Sequence, residues 1–376
     1  MNSLNKFLIT LLTIEIVFGG GGRILEPLGI PPLRYILFAM AVCTFLLNLL
    51  TFRAKTTQES VLLFLGFIAL PMYGLLLGAA KGNNISAILF DLQPFVYMLI
   101  IPYVCFTDKY LRDYSAKLFV NTVQTFAIIA STLYIIYVFL LRTGFIDFYS
   151  FYHTLSLTNE FFFRPSGAFF AKSFFFIGIG AIFFFCEKSY KLFTLSMVAL
   201  FLTETRGVFL FTGVAVMLAS FKINGSVKNL LLILLAIISG LGMMIIVGDR
   251  AGDSDSVRLN DFTFILDNMD NLSLFLGQGF GSEIAGRGRI EVVPLELLYK
   301  TGIVGILLSI IPVIRIISMY MQSSASSHQL KIGCALIFAA GVSITNPFLF
   351  TPMGIFLIAI AINSRVNKTP PPFLEV

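Results

Sequence analysis

Charge is what this sequence has least of. Asp, Glu, Lys and Arg together make up 12% of its 376 residues, about half the ~25% usual in soluble domains. A water-soluble core of this size needs far more charge to cover its surface. That scarcity excludes a soluble enzyme, an ordinary secreted domain and a disordered chain. Histidine occurs twice and cysteine four times. Cys43, Cys105, Cys186 and Cys334 each fall inside or at the end of an apolar run, with no CxxC, so they read as small buried hydrophobes rather than redox groups. No cluster of His, Cys or paired carboxylates has the spacing of a metal site, and no internal repeat is evident.

What is present is apolar. Hydrophobic residues excluding Gly reach 57%, above the roughly 45–50% of soluble domains even with Gly counted. The sequence predicts an all-α, polytopic membrane helix bundle that forms a single transmembrane domain over 1–376. At about 20 apolar residues per crossing, spans are expected near 7–22, 35–52, 61–80, 86–106, 117–141, 167–186, 190–204, 206–221, 229–247, 293–314, 330–345 and 348–363, twelve in all. The N-terminal apolar stretch ends in Gly19–Gly22 without an A-x-A cleavage signal and is read as the first helix.

The net charge of +6 does not signal nucleic acid, because Lys and Arg sit in short groups between apolar runs, which is how topology is encoded. With the N-terminus inside, the inner side collects fourteen Lys and Arg against five Asp and Glu; the outer side and the spans hold twelve against fifteen. Both termini are therefore expected in the cytoplasm. Two outer segments follow, a loop over 142–166 and a longer one over 248–291. In the second, Leu259, Phe262, Ile265, Leu266, Met269, Leu272 and Phe275 recur at helical spacing. An amphipathic helix lying on the membrane surface is expected over 257–276, ended by a glycine hinge at Gly277–Gly281.

Ionisable groups near or within spans are costly and need a reason. Arg206 lies in Thr203-Glu204-Thr205-Arg206-Gly207, a polar break between two apolar runs. It either pairs with Glu204 or presents its planar fork to an anionic head group, which it can hold through two hydrogen bonds. Arg164, in Phe163-Arg164-Pro165-Ser166-Gly167, either anchors a helix end or contacts phosphate. Lys172 lies one to two turns deeper in the same expected span. Arg287 and Arg289, with Gly288 between, face one phosphate together if extended, or are solvated loop charges. Arg258 is a further phosphate contact or a partner of Asp255 or Asp261.

For proton transfer the candidates are His153, Glu160, Glu283, Glu291 and Glu296. Glu291 and Glu296 flank the tenth expected span, where lost solvation raises a carboxyl towards a useful base pKa unless a nearby Arg holds it down. Asp253-Ser254-Asp255 matches the DxD of metal-dependent nucleotide-sugar transferases. That chemistry needs a nucleotide-binding α/β domain, which a loop of this length cannot hold.

Five segments then share an order. TETRG is followed by an apolar span, a long outer loop containing Arg258-Leu259, LGQGFG, and IEVVPLELLYKTGIVGILL, with FRPSGAFFAKS before the sixth span. In this order they resemble the O-antigen polymerase and ligase superfamily of the Wzy type, over 160–310. The resemblance implies a GT-C-like bundle and an inverting, metal-independent glycosyltransferase without cofactor in the bacterial inner membrane. Its implied substrates are oligosaccharides on undecaprenyl pyrophosphate. A polymerase moves the growing glycan from that lipid onto the next lipid-linked repeat unit, making O-antigen, capsule or exopolysaccharide. The resemblance further implies that outer arginines bind the pyrophosphate, a role that carries to Arg206; Arg287 and Arg289 match only the basic character of the loop's end. Ligases usually carry a His near the end of the long loop, where this chain has Glu291. The alternatives are such a ligase, or a flippase or transporter of the lipid-linked unit. A transporter would show pseudo-repeated halves and polar groups at the midplane. Membrane lipid, a chain-length regulator and a flippase are the implied partners, and nucleic acid is not.

Overall fold

The computed structural model describes residues 2–22, 32–51, 56–158, 160–164, 166–223, 252–322 and 327–365. In them the chain forms α1 (Asn2–Gly19), α2 (Leu33–Leu50), α3 (Gln58–Ala80), α4 (Ile85–Val96), α5 (Ile100–Cys105), α6 (Lys109–Arg142), α7 (Phe148–Ser156), α8 (Phe175–Cys186), α9 (Tyr190–Leu202) and α10 (Arg206–Ile223). There follow α11 (Gly252–Asn268), α12 (Asn271–Leu276), α13 (Val293–Gln322), α14 (Ser327–Val342) and α15 (Pro352–Arg365). Polar residues at the starts of these helices accept from N–H groups that would otherwise be unpaired. Thr57 accepts from Ser60, Asn84 from Ser86, Asp108 from Leu111 and Asp147 from Ser150, each cap typically contributing about 1 kcal/mol.

Eleven of the twelve expected spans coincide with described helices; the other, 229–247, lies outside the described residues. Among the described residues, five helices are long and apolar enough to cross a membrane: Leu33–Leu50, Gln58–Ala80, Ile85–Cys105, Tyr110–Arg142 and Val293–Tyr320. The protein is a helical membrane protein. Lys172–Cys186, Tyr190–Leu202, His328–Val342 and Pro352–Ser364 are apolar but shorter. At 13 residues, α9 reaches about 20 Å, less than the ~30 Å hydrocarbon core.

The centre of the bundle is α8, whose twelve side chains are all buried, as befits a helix that is apolar all round. It packs against α6, α9, α10 and α14. The second interior helix is α15, buried from Met353 to Ser364 against α1, α5, α6 and α14. Phe348, just before α15, stacks on Phe175 at 4.9 Å and so joins the two.

The expectation of an all-α chain, with a plain loop over 142–166 and a sixth span from 167, is corrected here. The segment contains α7 and an antiparallel ribbon of β1 (Phe161–Phe163) and β2 (Phe169–Ala171), with Phe162 opposite Phe170. Helical structure begins only at Lys172, as a 3-10 turn. Aromatic residues suit strands, and this register packs Phe169 against Tyr134 at 4.9 Å and Phe151 at 5.2 Å.

In the long connection, the expected single helix is two. Asp270 stops the run and caps α12, accepting from the Ser273 N–H at 2.9 Å. The Ser273 hydroxyl and N–H hold the Asp270 carboxyl below its usual range. Ile265 is buried with Ile284, Ile290 and Tyr299, while Leu259, Phe262, Leu266, Leu272 and Phe275 are exposed.

Gly277–Gly281 is no hinge. Gly302 has φ 63° and interrupts α13, which frees two carbonyls from the helical ladder. The Gln278 and Gly279 N–H groups donate to them, to Tyr299 O at 2.8 Å and Lys300 O at 2.7 Å. On its other side the strip lies on α3, where the Phe280 N–H donates to Gly74 O at 3.0 Å. The Asn83 amide donates to the Gln278 and Phe280 carbonyls at 3.0 and 2.9 Å. Non-helical backbone at membrane depth is tolerated when it is buried in protein.

These contacts gather the loops at one end of the bundle. There the Gly21 N–H donates to Glu160 at 2.7 Å, and a Cβ on Gly207 would meet the Thr345 hydroxyl. At the opposite end Lys331 pairs with Glu187, and Asn363 donates to Ser115 Oγ at 2.7 Å.

A Cβ on Gly78 would run into the Phe280 backbone, whereas one on Gly66 would meet only Pro312 Cβ at 3.5 Å. Gly78→Ala should therefore lower stability in detergent by about 1–3 kcal/mol, and Gly66→Ala should be near neutral. Thermal unfolding of the two purified variants checks this; equal midpoints would contradict the clamped geometry.

Candidate functional site

The loop-bearing end holds a buried ionic cluster around Lys300, which is 1% exposed. Its ammonium donates to Asp91 Oδ1 at 2.7 Å, to Glu296 Oε1 at 3.0 Å and to the Gly288 carbonyl. Asp91, 5% exposed on α4, accepts from the Gly281 N–H at 2.8 Å with its other oxygen. Glu296 Oε2 accepts from the Ile290 N–H at 3.3 Å. One lysine thus joins α4, α13 and the 277–291 strip. Beside it lies a cleft of about 390 Å³, lined by residues of the α3–α4 turn, α4 and this strip.

The loop arginines are brought to this region, each on its own partner. Arg258 pairs with Glu291 at 3.0 Å. Arg287 pairs with Asp261, which is buried on α11. Arg289 donates to the Phe90 carbonyl and lays its guanidinium over the Phe90 ring at 4.2 Å. Arg287 and Arg289 therefore do not share one contact. The backbone of Asp253 and Asp255 is at the start of α11; their side chains lie outside the described residues.

The other cations lie around the connector before α15. Arg206 is the first residue of α10, after a turn in which Glu204 takes φ 54°. Its neighbour Gly207 has Thr345 so close that a Cβ there would meet the Thr345 hydroxyl. Arg164 opens the turn of the ribbon, with its N–H donating to Ala168 O at 2.8 Å. Tyr134 fastens this ribbon to the other turn, since its ring packs on Phe169 and its hydroxyl donates to Leu202 O at 3.1 Å. Lys172 lies after β2, its ammonium 5.9 Å from the Phe162 ring centre. Phe170 meets Phe348, and Phe350 meets Phe95, which stacks on Phe280. The connector thus links the ribbon to the Lys300 region. His153 is exposed on α7.

Reading the sequence alone missed two ionic pairs. Besides Lys300 with Asp91, Arg34 on α2 donates through Nε to Glu15 on α1 at 2.8 Å. Arg34 is 2% exposed, and both of its Nη atoms and the Tyr97 hydroxyl are buried without a hydrogen-bond partner among the described residues. The signal available was the presence of Glu15, Asp91 and Lys300 inside apolar runs, where each charge requires a partner. The partners lie 19 and 209 residues apart, too far for any local pattern to pair them.

No family model matches the chain. An O-antigen polymerase of Shigella flexneri is 47% identical to it over 363 residues, covering 96% of this chain and 95% of the relative. The chain belongs to the O-antigen polymerase family.

For this family member, Lys300→Met should cost about 3–5 kcal/mol, because Asp91 and Glu296 are left as buried charges without a cation. Adding Asp91→Asn should recover about 1 kcal/mol or more. A double-mutant cycle on unfolding in detergent measures the coupling; additive losses would show that the pair is not coupled.

Proposed function

We propose that the chain is a twelve-span, GT-C-type polymerase of the bacterial inner membrane. It transfers a growing glycan from undecaprenyl pyrophosphate to the next lipid-linked repeat unit. The near full-length identity to an O-antigen polymerase carries the reading. The collection of basic side chains at one end of an apolar bundle supports it. In this reading an acceptor hydroxyl attacks the anomeric carbon of the donor sugar. The bond from that carbon to the pyrophosphate oxygen breaks, and the pyrophosphate leaves with the electron pair. Cations placed where charge develops lower this barrier without a metal.

Arg206 takes the leading role because it is a guanidinium at the N-terminus of an 18-residue helix, where exposed amides add to the attraction for an anion. Arg164 and Lys172 extend that site on the ribbon side. Arg258, Arg287 and Arg289 extend it on the loop side, exchanging their resting partners for the lipid's phosphates. Of the proton acceptors proposed, Glu291 is 61% exposed and pairs with Arg258. Glu296 is engaged by Lys300 and Ile290, and His153 stands apart on α7. A flippase and a chain-length regulator belong to the same reading as partners.

Arg206→Ala should be folded, inserted and inactive, with a rate loss of about 10²–10³. Arg206→Lys should recover only part, since the planar fork is lost. Glu204→Gln should keep most activity if Arg206 serves the substrate rather than the turn. Polymer length in a strain lacking the gene, complemented by each variant, is the measurement. Normal polymer from well-expressed Arg206→Ala would remove the residue from the site.

The orientation is tested separately. A cysteine at Ser254 should react with an impermeant thiol reagent in intact spheroplasts, and one at Ser326 should not. The reverse pattern would overturn the placement of the site on the outer face.

A further inference from the structure

The cleft beside the Lys300 cluster has a chemistry different from that of the arginines around it. Its lining comprises Asn84, Ser86, Phe90, Asp91, Ser282 and Glu283, with Ala87 and two glycines. No Lys or Arg is among these residues. Two cations are engaged by the lining itself, Lys300 by Asp91 and Gly288 together with Glu296, and Arg289 by the Phe90 carbonyl and ring. The hydroxyl protons of the lining are also taken. Ser86 Oγ donates to Asn84 Oδ1 at 2.7 Å and Ser282 Oγ to the Gly279 carbonyl at 2.8 Å. Towards a ligand, both serines can therefore only accept, as can the two carboxylates.

Among the lining side chains only the Asn84 amide remains a donor, so the cleft favours an occupant that brings O–H or N–H donors and no negative charge. A pyrophosphate fails on both counts, because it is all acceptors and would meet two carboxylates. A neutral sugar or an amino sugar satisfies them. Phe90, 50% exposed, adds an apolar wall for the C–H face of a sugar ring, and a few polar groups set against an apolar wall is the usual construction of a small-ligand site. The cleft's volume, about 390 Å³, lies in the range of such sites, roughly 300–1,000 Å³. Its position completes the argument. Gly288, in its wall, stands between Arg287 and Arg289, so a glycan seated here lies next to the cationic loop without entering it.

We propose that this cleft is a glycan subsite, holding a neutral or amino sugar of the repeat unit while the arginines hold the phosphates. The assignment rests on the polymerase reading above. It separates the two halves of a lipid-linked sugar by charge: the donor-rich sugar goes to the acceptor-lined cleft, and the anion goes to the guanidinium groups.

The chain contains no Trp, so Phe90→Trp supplies a sole indole reporter in the wall, and Ser86→Trp, at an exposed helix start, supplies a second. Each purified protein is titrated with free repeat-unit oligosaccharide, released from its lipid by mild acid, and separately with inorganic pyrophosphate. The expected result is a saturable emission change with the oligosaccharide from both reporters and none with pyrophosphate from Ser86→Trp, since Arg289, a proposed phosphate contact, lies over the Phe90 ring. Adding Glu283→Ala should weaken oligosaccharide binding about tenfold or more, as loss of a hydrogen bond to a charged group does. In turnover of the lipid-linked unit, Glu283→Ala alone should raise KM by a similar factor with kcat within about twofold. A response of Ser86→Trp to pyrophosphate, or silence towards the oligosaccharide from both reporters while the wild-type chain makes polymer, would overturn the subsite. An unchanged KM for Glu283→Ala would do the same. Failure of the wild-type chain to make polymer from the lipid-linked unit would instead count against the polymerase reading.

Discussion

Lys300 can keep its charge inside α13 only because Asp91, Glu296 and the Gly288 carbonyl surround it. Much else at this end of the molecule follows from that. An unpaired buried ammonium costs several kcal/mol, and a pair offsets this only with good geometry and with its remaining lone pairs satisfied. The geometry here is supplied by backbone. The Gly281 N–H takes the second Asp91 oxygen, and the Ile290 N–H takes the second Glu296 oxygen. Those N–H groups are in place because Gly302 opens the helix and the 278–279 strip docks on the freed carbonyls. Helix break, strip and ion cluster therefore depend on one another.

The same economy governs the outer arginines. In the resting protein Arg258 and Arg287 are held by carboxylates, and Arg289 by a carbonyl and a ring. In the polymerase reading, an arriving pyrophosphate must displace such partners. The exposed Arg258–Glu291 pair gives way most easily, because exposed pairs are worth little. Displacement also frees Glu291, a proposed base, so binding of the leaving group and exposure of a proton acceptor are coupled in that reading. The Arg287–Asp261 pair, with its carboxylate buried, is better suited to hold α11 against the loop.

Behind this polar end stands an interior built largely of phenylalanine. Phe175, Phe338 and Phe348 form one contact group, and Phe95, Phe280 and Phe350 another. The residues 343–351 take part in both groups, and their backbone turns are closed locally, as where Ser343 Oγ accepts from the Leu349 N–H at 2.7 Å. A rigid aromatic connector of this kind keeps the ribbon side and the loop side of the site in fixed relation.

The helices were legible in the sequence because membrane crossing and helix burial leave long apolar runs, and each run needs only its own residues to be recognised. The caps Asn84, Asp108 and Asp147 were local in the same sense. The order of TETRG, Arg258-Leu259 and LGQGFG carried the family, which the full-length similarity bears out. The ribbon at 161–171 was not legible, since its Phe-rich residues suit a span as well as a strand and only Tyr134 and Phe151 decide between them. Nor was the docking of Gly277–Gly281, because a glycine run reads equally as a hinge or as a place of close backbone approach. Local spacing marks which charges require partners. The choice of Asp91 for Lys300, of Glu15 for Arg34 and of Asp261 for Arg287 belongs to the tertiary structure, because ionic pairing acts through space and the pairing groups are brought together only when the helices pack.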